Sequence, residues 1–216
     1  MSVIPVDSSQ WQIHQQDHVA STQKQLLKHW QALPHGYVLY ARTQSQGVGR
    51  NQNTWQSEPG GLYFSLLLKP TDFISALPWR VWLSLLEVLE SYASEHLTLK
   101  ASNDILYKTK KLAGFLIDAA TQENHPAYYI VGCGLNLTQS HFPEEVLACT
   151  LQDISQQAFS QENVLHAVLQ QLSHHLKLSE KQWQQYVFET HGHRQVRTAY
   201  EHNSTLSIKD YWNDTN

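Results

Sequence analysis

Cysteine, charge and long apolar runs are all scarce in this chain. Only two of its 216 residues are cysteines, Cys133 and Cys149. Both sit in apolar surroundings, which excludes a disulfide framework. Charged residues make up 16%, with 15 Lys+Arg against 19 Asp+Glu, a net charge of −4 and a pI near 6.3. That balance excludes a basic face broad enough for duplex DNA. No run of about 18 apolar residues exists to span a bilayer. There is no Pro/Gly/Ser linker and no internal repeat, which points to one main domain. The opening residues MSVIPVDSSQWQ lack the basic and apolar regions of a secretory signal. The expectation is a soluble cytoplasmic protein with no nucleic-acid partner and no membrane contact.

What is present suffices for a core. Hydrophobic residues reach 41% and aromatics 11%, and 23 Gln supply much of the polar surface. Residues 11–19 predict a weak strand, and Ser21-Thr22-Gln23 a cap before the helix QLLKHW, which stops at Pro34-His35-Gly36. Tyr37–Ala41 and residues 61–69 read as strands. Between them, residues 43–60 form a polar, glycine-bearing loop, too long for an ordinary connection and therefore a candidate for function. Trp79, Trp82, Leu86, Leu89 and Ala93 follow helical spacing over 79–96. Residues 111–118 and 127–137 read as neighbouring strands joined by the turn TQENHP, and one long amphipathic helix fits 161–189. Strands and helices do not alternate regularly, so the pattern predicts an α+β fold with a mixed or antiparallel sheet covered by helices.

Three segments offer chemistry. In Gly47-Val48-Gly49-Arg50, flexible backbone could turn N–H groups toward a phosphate with one guanidinium to pair it. The same pattern is also that of a plain turn, and it lacks the Gly-Lys-Ser/Thr ending of a P-loop. Lys111 stands at the mouth of a strand before Leu112-Ala113-Gly114, where small residues let a ligand approach the backbone and the ammonium can neutralise phosphate charge. The plainer alternative is a solvated Lys-Lys pair before an edge strand. In Gly132-Cys133-Gly134-Leu135-Asn136, two glycines flank a cysteine that reads as a small core residue, since no neighbouring base or cation would activate it. The 13 histidines include His14/His18 and His191/His193. Neither pair has a third ligand at characteristic distance, so no metal site is expected.

Together, and in this order, the segments resemble the biotin protein ligases. A Ser-Thr-Asn element is matched by Ser21-Thr22-Gln23 with its third residue changed. A Gln followed by a Gly-Arg-Gly-Arg-x-Gly-Arg-x-Trp loop is matched by Gln44 and the stretch from Gly47 to Trp55. Lys-Trp-Pro-Asn-Asp and Lys-Leu-Ala-Gly correspond to Lys100–Asp104 and Lys111–Gly114, and Gly-x-Gly-x-Asn to Gly132–Asn136. The resemblance covers residues 15 to 190.

It implies a class II aminoacyl-tRNA-synthetase-like catalytic domain over residues 1–190. The implied reaction is ATP-dependent attachment of biotin to a lysine of a biotin carboxyl carrier protein domain, through biotinyl-5′-AMP and with Mg²⁺. By resemblance, Ser21, Thr22, Gln23 and Gln44 bind the ureido head of biotin, with Gly47 and Gly49 beside them. Gly114 and Gly132 make room for its aliphatic chain. Lys111 and Arg50 are the catalytic residues, and Val48, Arg50, Trp55 and Asn136 face the nucleotide. Family members also dimerise through a sheet edge. The departures are Val48, Asn51 and Asn53 in place of basic loop residues, and residues 191–216, too short for the family's C-terminal β-barrel. No helix-turn-helix extension is present, so a repressor role is not expected. These departures keep two alternatives in view: a degenerate, non-catalytic binder of biotin or of the carrier, and a lipoate or octanoate ligase.

Overall fold

Strand β3 (Leu62–Leu68) is buried along its whole length and forms the middle of a seven-stranded sheet. The computed structural model describes residues 10–93, 95–100, 103–143, 146–155 and 157–191, except the side chain of Gln52. The strands are β1 (Gln12–Val19), β2 (Tyr37–Gln44), β3, β4 (Thr98–Lys100), β5 (Asp104–Tyr107), β6 (Lys110–Gln122) and β7 (His125–Leu135). Their order across the sheet is β1-β2-β3-β7-β6-β5-β4. Strands β1 and β2 are parallel and every other pair is antiparallel. The sheet is mixed, as the sequence pattern predicts.

The period-2 alternation of the central strands decides what each face does. Phe64, Leu66, Leu68, Val131, Cys133, Leu135, Ala113 and Phe115 point to one side. There they form the main core with α2 (Leu77–Tyr92), the short α3 (Leu151–Ile154), α4 (Gln161–Lys177) and α5 (Glu180–His191). The intervening residues, Ser65, Gly132, Gly134 and Gly114, are small and leave a groove on the other face. Among the described residues, that face carries only α1 (Thr22–His29), whose Leu26 packs against Leu39, Leu67 and Ile130. Truncating a fully buried leucine of this kind to alanine costs about 2–5 kcal/mol. The layers therefore place α1 and the groove side by side.

Three expectations change in detail. The predicted six-residue turn between the last two strands is a two-residue hairpin turn, with Glu123 at φ 51° and Asn124 at φ 64°. Both are in the left-handed region that matches strand twist, so pairing extends to Gln122 and His125. The predicted single helix over 161–189 is two helices broken at Leu178-Ser179. Arg80 of α2 donates to the Leu178 carbonyl at 3.0 Å, occupying an open helix end. Ser179 and Gln182 then start α5 with reciprocal bonds of 2.9 and 3.4 Å. Strands β4 and β5 are too short to give a periodic signal in the sequence. The helix expected over 79–96 runs instead from Leu77 to Tyr92. Apart from His191, the expected C-terminal tail lies outside the described residues, as do Ala101 and Ser102.

Candidate active site

The groove opens between α1, the loop after β2 and the ends of β5 to β7, as a cavity of about 280 Å³. Its polar end is built on the start of α1. Ser21 caps the helix, its hydroxyl accepting from Lys24 N at 3.3 Å. The next residue, Thr22, donates its backbone N–H to Gln44 Oε1 at 2.8 Å. Gln44 in turn donates from Nε2 to Ser57 Oγ at 2.9 Å, tying the helix to both ends of the loop. Gln23 is buried: Nε2 donates to Asp118 Oδ2 at 2.7 Å and to the Ile130 carbonyl at 3.0 Å, and Oε1 accepts from Ser65 Oγ at 2.9 Å. Its Oε1 would lie 2.5 Å from a Cβ at Gly132, so a side chain there would have to push the Gln23 amide out of its bonds.

The glycine loop is folded back on itself. Val48 bridges to Thr54, Gly49 N donates to the Asn53 carbonyl at 2.7 Å, and Trp55 N donates to the Gly47 carbonyl at 3.0 Å. A Cβ at Gly47 would come within 2.5 Å of the Trp55 carbonyl oxygen. This miniature hairpin carries Arg50 to the cavity wall and lays the Trp55 indole on the groove floor, where a methyl on Gly134 would overlap it.

Lys111 closes the other end. Strict alternation from Gly114 would send Lys111 to the core with Ala113 and Phe115. A bulge opposite Ile105 and Leu106 inserts one extra residue, Leu112, and turns Lys111 onto the groove face. Its Nζ lies 2.7 Å from Asp104 Oδ1 and 4.8 Å from the centroid of the Trp55 ring. The Lys111 backbone is clamped as well. Its N–H donates to the Leu147 carbonyl at 2.8 Å, and its carbonyl accepts from Cys149 N at 3.1 Å and Asn136 Nδ2 at 3.1 Å. Asn136 is buried, and its Oδ1 accepts from Gln139 at 3.1 Å. A smaller recess beyond Trp55, lined by Lys111, Asn136, Phe142 and Val146, continues the cavity.

The three sequence segments thus meet in one place. Ser21, Thr22, Gln23, Gln44, Val48, Gly49, Arg50, Trp55, Lys111, Gly114 and Gly132 line the cavity; Gly47 supports it from behind, and Asn136 borders the adjoining recess. Asp104, Ser65, Ser57 and Asp118 carry no predicted role. Ser65 is visible as the one small polar side chain inside the apolar strand LYFSLLL, whereas Ser57 and Asp118 join the site through bonds to Gln44 and Gln23, 13 and 95 residues away. Burial pushes the Cys133 thiol up, and pushes that of Cys149 up to about 11, so both stay protonated and poorly nucleophilic at neutral pH. His14 stacks on Tyr37 at 4.4 Å and the His18 ring lies 3.0 Å from Thr43 Oγ1, each with its own partner on β2.

Residues 15–136 match the model of the biotin/lipoate A/B protein ligase family. A bifunctional ligase/repressor BirA from Bacillus spizizenii is 30% identical over 197 residues, 86% of this chain and 57% of the relative. A biotin–[acetyl-CoA-carboxylase] ligase from Mycobacterium tuberculosis is 35% identical over 121 residues, 51% of this chain and 42% of that protein. The chain spans about half the length of the curated relatives it matches. Among solved structures, a biotin protein ligase from Aquifex aeolicus in complex with biotin and ATP superposes with a TM-score of 0.70 at 34% identity. That match covers 82% of this chain and 75% of the other. The mixed sheet with its helices is the fold of these structures.

Proposed function

Since this chain belongs to the biotin/lipoate A/B protein ligase family, we propose that it is a biotin protein ligase, with residues 1–190 as the catalytic domain. One observation carries this reading: a single cavity has a hydrogen-bonding head site at one end and the Lys111 ammonium at the other, over a floor of glycines. That is the shape of a polar ring, an aliphatic chain and a carboxylate, in that order.

In the proposed reaction, the biotin carboxylate attacks the α-phosphate of ATP and pyrophosphate leaves. The amine of a carrier-protein lysine then attacks the acyl carbon and AMP leaves. Thr22 and Gln44, held by α1 and the loop, orient the ureido head. Lys111 lies where the carboxylate and the phosphate meet, and its charge offsets the negative charge that develops there. Asp104 and Trp55 hold that ammonium in the absence of substrate, and Asn136 fixes its backbone. Val48, Arg50 and Trp55 cover the nucleotide from the loop. Mg²⁺ enters as part of the ATP substrate. Among the described residues no group of three or more His, Cys, Asp or Glu could hold a metal ion. The carrier domain is the protein partner, the cytoplasm the proposed compartment, and a homodimer through a sheet edge the proposed assembly.

A second reading has its own support. The loop retains Arg50 but carries Val48, Asn51 and Asn53 where the resemblance expects basic residues, which favours a weakly catalytic binder. Acid-dependent exchange of pyrophosphate into ATP, run separately with biotin, lipoate and octanoate, tests both. Exchange with biotin alone is expected. Binding of biotin without exchange establishes the binder, and exchange with lipoate or octanoate instead overturns the assignment.

A further inference from the structure

Behind the polar end of the cavity, four side chains form one hydrogen-bonded line: Asp118 on β6, Gln23 on α1, Ser65 on β3 and Thr22 on α1. Its direction follows from where protons can be. Gln23 has an Asp118 carboxylate oxygen and the Ile130 carbonyl on one side. Both accept, so the amide must place its NH₂ there and its Oε1 toward Ser65. Oε1 cannot donate, so the Ser65 hydroxyl spends its only proton on it. Ser65 Oγ is then an acceptor for Thr22 Oγ1, 2.9 Å away. Thr22 Oγ1 also lies 3.2 Å from Gln44 Oε1, which the Thr22 backbone N–H fixes as an acceptor. Whichever of these the Thr22 hydroxyl turns to, its proton stays inside the protein. Toward the cavity, which Thr22 lines, it has lone pairs only. The carboxylate at the far end polarises each link in the same sense and strengthens Thr22 as an acceptor.

From this we infer that Asp118, Gln23 and Ser65 are a specificity relay: they make Thr22 Oγ1 an obligate acceptor, so the cavity selects acids whose head group brings an N–H donor to it. The inference deepens the proposed function and rests on it for the location of the head group. A ureido ring satisfies Thr22, whereas a dithiolane or an alkyl end leaves a buried acceptor unpaired. The relay residues are positioning residues, acting through Thr22.

Titration calorimetry on the full chain compares biotin with the two cyclic carbamate analogues in which one or the other ureido N–H is replaced by a ring oxygen. One carbamate, presenting an acceptor to Thr22, is expected to bind the wild type about 100-fold more weakly than biotin. In Ser65→Ala the Thr22 proton keeps only the longer 3.2 Å contact to Gln44 Oε1, which a backbone N–H already occupies, so it can turn toward the ligand and this gap is expected to shrink below about tenfold. A change in that ratio separates a relay from a merely structural Ser65, which would weaken all three ligands alike. Two carbamates that bind the wild type as well as biotin, or a gap unchanged in Ser65→Ala, overturn the relay. The wild-type comparison stands even if the variant does not fold. A parallel NMR titration of the wild type uses the bare rings imidazolidin-2-one and ethylene carbonate. Should biotin fail to bind while imidazolidin-2-one alone shifts the Thr22 and Gln44 amides, the biotin reading falls and the relay stands. If neither ring shifts them, or both do equally, the relay falls.

Discussion

Lys111 is half-exposed, with a side chain 33% accessible, and it is paired to Asp104 rather than packed in the core. Its replacement should therefore separate chemistry from folding. Lys111→Ala is expected to lower biotin-dependent pyrophosphate exchange by about 10²–10³-fold, the effect of removing about 2.7–4 kcal/mol of transition-state stabilisation. Its melting temperature should stay near that of the wild type, and biotin affinity should fall only moderately, because the head contacts lie at the other end of the cavity. Near-normal turnover would remove Lys111 from the mechanism. Ser21 is less clean to test. Its hydroxyl caps α1, so Ser21→Ala loses about 1 kcal/mol of helix stability along with any ligand contact. Gln44→Ala reports more directly on the head site, although it also releases Ser57.

At the scale of elements, the loop and the helix break make separate predictions. Val48 lines the cavity and pairs its backbone with Thr54, so a longer side chain there can reach the nucleotide without undoing the hairpin. Each buried charge-assisted hydrogen bond absent from this loop is worth about 1.5–3 kcal/mol. Val48→Arg is accordingly expected to tighten ATP binding and slow biotinyl-adenylate release by about tenfold or more. Single-turnover kinetics on both proteins check this. Equal adenylate lifetimes would show that the missing charge does not control retention. The second element is the junction of α4 and α5, where Ser179 and Gln182 cap each other's backbone. Ser179→Ala should cost about 1 kcal/mol, read as a lower urea midpoint at unchanged m-value. An undiminished midpoint would mean that Arg80 alone sets the break.

For the whole molecule, three helices meet on one partly buried carboxylate. Glu87 of α2 accepts from His175 of α4 at 3.2 Å, and from His191 and Tyr186 of α5 at 2.6 and 2.9 Å; Gln171 Nε2 of α4 is also within 2.5 Å. Burial by itself raises the pKa of this carboxyl, but the bonds from His175, His191 and Tyr186 outweigh it and hold the pKa at about 2, against 4.5 for the free group. A depressed folded-state pKa contributes stability that is fully present above pH 4.5 and lost as pH falls toward 2. Urea unfolding is expected to show a falling midpoint across that window. Glu87→Gln should be less stable at pH 7 and should lose less stability than the wild type between pH 4.5 and 2. An equally steep fall in the variant would assign the acid sensitivity to other groups. Much of this architecture was legible in the sequence, because it rests on local rules. Continuous apolar runs marked the central strands, Ser21 marked the start of α1, and Gly114 marked where a ligand could approach the backbone, whereas Ala113, read the same way, faces the core. What only the tertiary structure decided depends on residues far apart in the chain. Arg80 and the Ser179 cap break a helix that periodicity would continue. One extra residue opposite β5 swings Lys111 from core to cavity. Asp118, Gln23 and Ser65, lying on β6, α1 and β3, set which way the Thr22 proton points. Hydrophobic period and capping act within a few residues and can be read along the chain, whereas register, helix-end satisfaction and proton direction are properties of groups brought together by packing.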